Sequence, residues 1–322
     1  MSNFVTLSTI GALAPDFSSV PKNFTIYEKE MKTRLKNQIE AVLPDKPDLI
    51  VFPECANNYY SNTKEDLKEE LKEYCKYLKN SFVDFLKPFA IENNVNIAYG
   101  AMRYVGSPNE KPYRNSIVYI DRNGEVRGNY DKNHTMTGEF VESDINYGTD
   151  AKLVELDFGK VASAICFDLN FDELLYRYKS QKPDLIVFSS SYHGGLNRLA
   201  QWAYTCRSYL ISSVNGMPCM PCYIMNPYGD VIASSTNYTD HASATVNLDY
   251  EICHIDFNWE KIKAAKNKYK DALTVYDPGF VGSVLLACNI SDITISDILS
   301  EFEIISLDDY LECERAHRLA NI

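Results

Sequence analysis

The sequence predicts an α/β protein in which two mixed β-sheets pack together with helices outside. Short apolar runs of strand length alternate with longer segments whose apolar residues recur at helical spacing. Two hairpin signals, Asn123-Gly124 and Asn226-Pro227-Tyr228-Gly229-Asp230, interrupt that alternation. The heptapeptide Lys-Pro-Asp-Leu-Ile-Val-Phe occurs identically at 46–52 and 182–188, which marks an internally duplicated architecture with a pseudo-twofold.

The elements follow in order. Phe4 to Ile10 is β-branched and alternates apolar with small polar residues, so it reads as a strand. Phe24 to Val42 is a helix with its stripe at Ile26, Met31, Leu35, Ile39 and Val42, stopped by Pro44 and Pro47. Asp48 to Phe52 is a continuous apolar run that fits a strand buried on both faces of a parallel sheet. One long helix is expected from Lys64 to Ala90, opened by Thr63 and Asp66 in a capping-box pattern. Strands at 96–99 and 116–120 lead through Asn123-Gly124 into Val126. The second half repeats the grammar: strand 161–165, helix 171–179, strand 184–188, helix 198–209, strand 210–214 and a hairpin formed by 223–225 and 231–233.

Composition narrows the function. The 322 residues are 45% hydrophobic and 24% charged, enough for a sizeable core without metal or disulfide staples. The net charge of −12 disfavours nucleic acid and anionic membrane surfaces as partners. No stretch approaches the roughly 18–20 apolar residues of a membrane-spanning helix. Nine scattered cysteines and a start without a basic, apolar leader suit free thiols in a reducing cytoplasm, which is the expected location. Cys219-Met220-Pro221-Cys222 lacks the strand-to-helix setting of a redox pair and any second pair for zinc, so no metal site is expected. The lysines from 261 to 270 read as a solvated helix face.

A main domain is expected over 1–288. The remaining stretch, 289–322, holds eight acidic residues and two arginines yet carries many branched apolar residues. A solvated tail has no use for these, so an extension packing on the body or on a second subunit is expected, and with it a homodimer or higher homo-oligomer.

Three strand ends carry reactive residues, where open α/β sheets place their sites. Cys166 stands between a buried strand and a polar turn leading into a helix. A thiol there can gain from the helix dipole and from backbone N–H groups that hold an oxyanion. Glu54 follows an apolar run and a proline, where a carboxylate is expensive to bury. Cys55 could line the same site without reacting. Lys132 lies between Asp131 and His134, after the first hairpin.

Taken together, these segments resemble the carbon–nitrogen hydrolase, or nitrilase, superfamily over about residues 4–250. The matching stretches are Asp48-Leu49-Ile50-Val51-Phe52-Pro53-Glu54, Asn115 to Ile120 through Gly124 to Tyr130-Asp131-Lys132-Asn133-His134, Ile165 to Leu174, and Asn226 to Ala233. The sequence departs from the family at Phe171-Asp172-Glu173, where Phe-Pro-Glu is usual, and at Arg207, near where an acid is common. The resemblance implies an α-β-β-α sandwich that hydrolyses non-peptide C–N bonds without a cofactor. It implies Cys166 as nucleophile, Glu54 as base, and Lys132 with the Phe167 N–H as oxyanion donors. It also implies Glu139 as a second acid positioning substrate and lysine, as in amidase-like members. Tyr60, Tyr192 and His193 are expected as substrate neighbours. The expected activity is that of an amidase on a small-molecule amide. An N-carbamoyl hydrolase is the alternative, and a catalytically silent scaffold is the alternative of another class.

Overall fold

The computed structural model describes residues 3–11, 23–57, 65–106, 111–191, 195–215, 220–236, 238–279 and 281–322. The chain forms two compact units, one of Thr6–Ala244 and one of Met1–Val5 with Thr245–Ile322.

The larger unit is built on two six-stranded sheets. The first half supplies β1 (Phe4–Ile10), α1 (Phe24–Val42), β2 (Leu49–Val51), α2 (Glu65–Leu78), α3 (Ser81–Glu92), β3 (Asn96–Tyr104), β4 (Tyr113–Ile120), β5 (Val126–Asp131) and α4 (Thr137–Glu142). The second supplies β6 (Val154–Leu156), β7 (Gly159–Ile165), α5 (Asp172–Lys179), β8 (Leu185–Ser190), α6 (Leu196–Cys206), β9 (Tyr209–Val214), β10 (Tyr223–Met225), β11 (Val231–Ser234) and β12 (His241–Asn247). The strand orders are β12-β1-β2-β3-β4-β5 and β11-β10-β9-β8-β7-β6. Each sheet has three parallel strands, β1-β2-β3 or β7-β8-β9, continued by antiparallel hairpins.

The repeated heptapeptide does the same work twice. Lys46 and Lys182 both adopt the left-handed conformation that turns the chain into its strand, at φ 52° and 51°. The next acid braces the preceding parallel strand: Asp48 Oδ2 accepts from Thr6 N at 2.8 Å, and Asp184 Oδ2 from Lys160 N at 2.7 Å. The two sheets meet through buried hydroxyls, among them Tyr119 Oη with Ser163 Oγ at 2.7 Å and Thr9 Oγ1 donating to Ser212 O at 2.7 Å.

Helices α1, α2 and α3 cover the first sheet, with Tyr27, Leu35, Tyr74, Phe82 and Leu86 packed on Ile50, Ile97 and Tyr99. Helices α5 and α6 bury Leu174, Tyr178, Leu199 and Trp202 on the other side. The expected α-β-β-α sandwich is therefore present.

Two local expectations need correction. Ile26 is half exposed, and Tyr27 takes its place in the core stripe of α1. The single helix expected from Lys64 to Ala90 is two helices, broken at Lys79, which has φ 48°. Its buried residues Tyr74, Leu78, Phe82, Leu86 and Ala90 are spaced by four. Each step of four overshoots a full turn by about 40°, so one straight helix would walk that stripe off the sheet. The break resets the phase. The Thr63 cap lies outside the described residues.

The smaller unit contains β13 (Tyr250–His254), α7 (Trp259–Tyr269), β14 (Leu273–Tyr276), β15 (Ser283–Cys288), α8 (Ile295–Glu301) and α9 (Leu307–Ala320). Its sheet runs β13-β15-β14. Cys253, Ile262, Leu273, Val284 and Leu286 share one core with Ile295, Ile298 and Ile304, so these residues of the C-terminal stretch are core residues, whereas Ile290 and Ile305 are exposed. From Leu311 to Ile322 every residue is exposed. Among the described residues no helix is long and apolar enough to cross a membrane.

Candidate active site

The chain leaving β2 arches over β3. Phe52 N donates to Ala98 O at 2.9 Å and Ala56 N to Gly100 O at 2.8 Å. A Cβ at residue 100 would overlap the Pro53 carbonyl, so only glycine permits this approach. The arch turns at Cys55, φ 53°, and holds Glu54 with no solvent exposure. Oε1 of Glu54 accepts from Asn115 Nδ2 at 2.6 Å and Lys132 Nζ at 3.0 Å, and Oε2 accepts from Ser191 N at 2.8 Å. Three donors satisfy this buried carboxylate.

Lys132 follows β5. Its N–H donates to Asn115 O at 2.8 Å, and its carbonyl accepts from Gly148 N at 2.7 Å. Its side chain is 1% exposed, and Nζ also lies 3.0 Å from each carboxylate oxygen of Glu139 on α4. Glu139 Oε2 further accepts from Met136 N at 2.7 Å. Burial by itself would lower the Lys132 pKa, but Glu54, Glu139 and Cys166 outweigh it and hold the ammonium well above its ordinary range.

Cys166 begins a short 3₁₀ turn, 166–170, directly after β7, with φ 47°. This strained turn lifts the thiol off the strand end. The thiol is partly buried, and burial, then Glu54, push it up to about 12; Lys132 and a hydrogen bond with Ser190 oppose that only in part. At neutral pH the resting sulfur carries its proton. Burial, then Glu54, also raise the Cys55 thiol well above its ordinary range, and its Sγ lies 3.9 Å from Asn115 Oδ1, so it lines the site as a thiol.

The structure thus gathers Glu54, Lys132 and Glu139 through direct contacts, and Cys166 within their field. Phe167 follows on the same turn, its ring edge-on to Phe171 at 5.2 Å. Tyr60, Tyr192 and His193 lie outside the described residues. Sequence reasoning missed Asn115, Ser191 and Asp168. Asn115 had a readable signal: it shares a face of β4 with buried Ile117 and Tyr119, and a lone amide on an apolar face needs a partner.

Two packed mixed sheets between helix layers carry a buried Glu–Lys–Glu cluster beside a cysteine turn, the architecture of the nitrilase fold. The family model of the carbon-nitrogen hydrolases matches residues 28–251, and the chain belongs to that family, within the nitrilase superfamily. The nitrilase and fragile histidine triad fusion protein NitFhit of Caenorhabditis elegans is 22% identical over 67% of this chain and 52% of its own length. The chain thus spans about half of that relative. The deaminated glutathione amidase of Dictyostelium discoideum is 23% identical over 74% of this chain and 89% of its own. Among solved structures, a carbon-nitrogen hydrolase from Helicobacter pylori superposes with a TM-score of 0.64 at 13% identity, covering 83% of this chain and 93% of that one.

Proposed function

We propose that this chain is an amidase: it hydrolyses the C–N bond of a small linear amide through a thioester on Cys166, without a cofactor. The observation that carries the reading is Lys132 Nζ, buried and held 3.0 Å from both Glu54 and Glu139, beside a cysteine on a left-handed turn. The amidases among its relatives, including the omega-amidase NIT3 of Saccharomyces cerevisiae, support the substrate class.

In this reading Cys166 Sγ attacks the amide carbonyl carbon while its proton passes to Glu54. A thiol near 12 is a poor thiolate source, so attack and proton transfer proceed together. Lys132 and the Phe167 N–H stabilise the tetrahedral oxyanion, a contribution worth about 10²–10³ in rate per donor. Glu54 then returns the proton to the leaving nitrogen, the C–N bond breaks and ammonia or an amine departs. Water, deprotonated by Glu54, attacks the thioester and releases the acid and the thiol. Glu139 holds Lys132 in place and faces substrate.

Ammonia release across short amides, ω-amides, nitriles and N-carbamoyl amino acids, with Cys166→Ala as blank, tests this. A Cys166-dependent signal on amides is expected. Carbon dioxide released with the ammonia would favour the N-carbamoyl alternative. Turnover by Cys166→Ala above about one per cent of wild type would remove the nucleophile assignment.

A further inference from the structure

Asp168 is fully buried, and the hydrogen bonds it accepts come from both arms of the site. Its Oδ2 accepts from Ile165 N at 3.0 Å and from Tyr130 Oη at 2.7 Å. Its Oδ1 accepts from His134 N at 2.8 Å and lies 3.0 Å from His134 Nδ1. Ile165 immediately precedes Cys166. Tyr130 and His134 flank Lys132, two residues to either side. Cys166 and Lys132 extend from strands of different sheets, β7 and β5.

The partners are themselves fixed. Asn133 Nδ2 donates to Tyr130 Oη at 2.8 Å, which points the phenol proton at Asp168. The His134 ring stacks flat on Phe171 at 3.8 Å, with Nε2 3.9 Å from Glu173. The Asp168 carbonyl closes the far side of the turn by accepting from Phe171 N at 3.1 Å.

We propose that Asp168 is a positioning residue that locks the cysteine turn to the lysine segment, with Tyr130 and His134 as its relay. It touches neither Cys166 Sγ nor Lys132 Nζ and acts through their neighbours, by the backbone N–H groups of Ile165 and His134 and the side chains of Tyr130 and His134. This rests on the roles assigned above to Cys166 and Lys132. A carboxylate suits the place because it offers only acceptors. An amide of the same shape turns an N–H toward donors and opens the clamp.

The test uses the full chain with Asp168→Asn and Tyr130→Phe. Two readouts are followed: amide turnover, and the pH profile of Cys166 alkylation by iodoacetamide, quantified on the Cys166 peptide. Opening the clamp should cut kcat at least tenfold with KM within threefold. It should also free the buried thiol, moving the alkylation midpoint down from about 12 toward ~8.5 and raising the rate at pH 8 at least tenfold. Lower turnover with a more reactive thiol is a combination that loss of stability alone does not produce in the folded fraction. A folded Asp168→Asn protein with an unmoved alkylation profile overturns the proposal, whatever its turnover. If Asp168→Asn does not fold, Tyr130→Phe decides: a midpoint moved down supports the clamp, and an unchanged profile overturns it. Alkylation needs no substrate, so a chain with no amide turnover but a shifted midpoint keeps the clamp and loses the amidase reading.

Discussion

Replacing Lys132 by methionine removes one charge and keeps the length of the stem. In the wild type, Nζ sits 3.0 Å from Glu54 and 3.0 Å from Glu139, whose side chains are 0% and 11% exposed. Removing one partner from a buried charged cluster costs about 3–5 kcal/mol, because the others are left uncompensated. At about 2–4 °C per kcal/mol for domains of 150–250 residues, Tm should fall by roughly 6–20 °C at pH 8. The two carboxylates then face each other without a cation, and one must bind a proton to stay buried. Over the range where the unfolded chain has released that proton, the folded variant holds one more. Its stability therefore falls as pH rises, by up to about 1.4 kcal/mol per unit. Calorimetry at pH 5 and pH 8 should show a deficit that is small at pH 5 and large at pH 8. A deficit equal at both values, or below about 2 °C at pH 8, would refute the reasoning.

With its thiol near 12, Cys166 is ionised at only about one part in 10⁴ at pH 8, against roughly a quarter for a free cysteine near 8.5. Higher intrinsic nucleophilicity recovers about 30-fold of that deficit, so alkylation should run on the order of 100-fold slower than free cysteine and keep rising above pH 9; a plateau near 8.5 would contradict the burial effect. Gly100→Ala drives a methyl into the Pro53 backbone, so a loss of about 3 kcal/mol and of turnover is expected on chemical denaturation and assay. Near-wild-type behaviour would show that the arch can yield. Truncation after Tyr310 removes only exposed residues, so Tm should hold within about 1 °C. We expect the sedimentation mass to drop by a subunit multiple, because Leu311, Leu319 and Ile322 are left bare; an unchanged mass removes this segment from subunit contact.

The parts of the fold that sequence made legible were those where one local rule decides. A buried parallel strand must be apolar throughout, and both copies of the heptapeptide were readable for that reason. Glu54, Lys132 and Cys166 were singled out together, by the resemblance of their three segments to the nitrilase superfamily, since each alone has an ordinary structural reading. The break at Lys79 was not, since it depends on how far an apolar stripe drifts against a sheet the sequence does not display. Asn115, Ser191 and Asp168 act through partners 61, 137 and 34 residues away in the chain, distances that no spacing rule spans. The state of the Cys166 thiol went the same way: proximity to a helix start is local, whereas burial and the field of Glu54 are tertiary.

The duplicated heptapeptide has a consequence for how this site can be divided. After the identical Phe52 and Phe188 the copies diverge, into Pro53-Glu54 in one and Ser189-Ser190 in the other. The two ends then meet: Ser189 Oγ donates to Phe52 O at 2.9 Å, and Ser191 N holds Glu54 Oε2 at 2.8 Å. One copy delivers the charge and the other delivers the hydrogen bonds that allow it to be buried. Neither half of the chain carries a complete device, so a protein cut between β5 and β6 would regain its carboxylate's setting only when both fragments are present together. Descent from two equal halves would thus have ended in a division of labour that ties them permanently to each other.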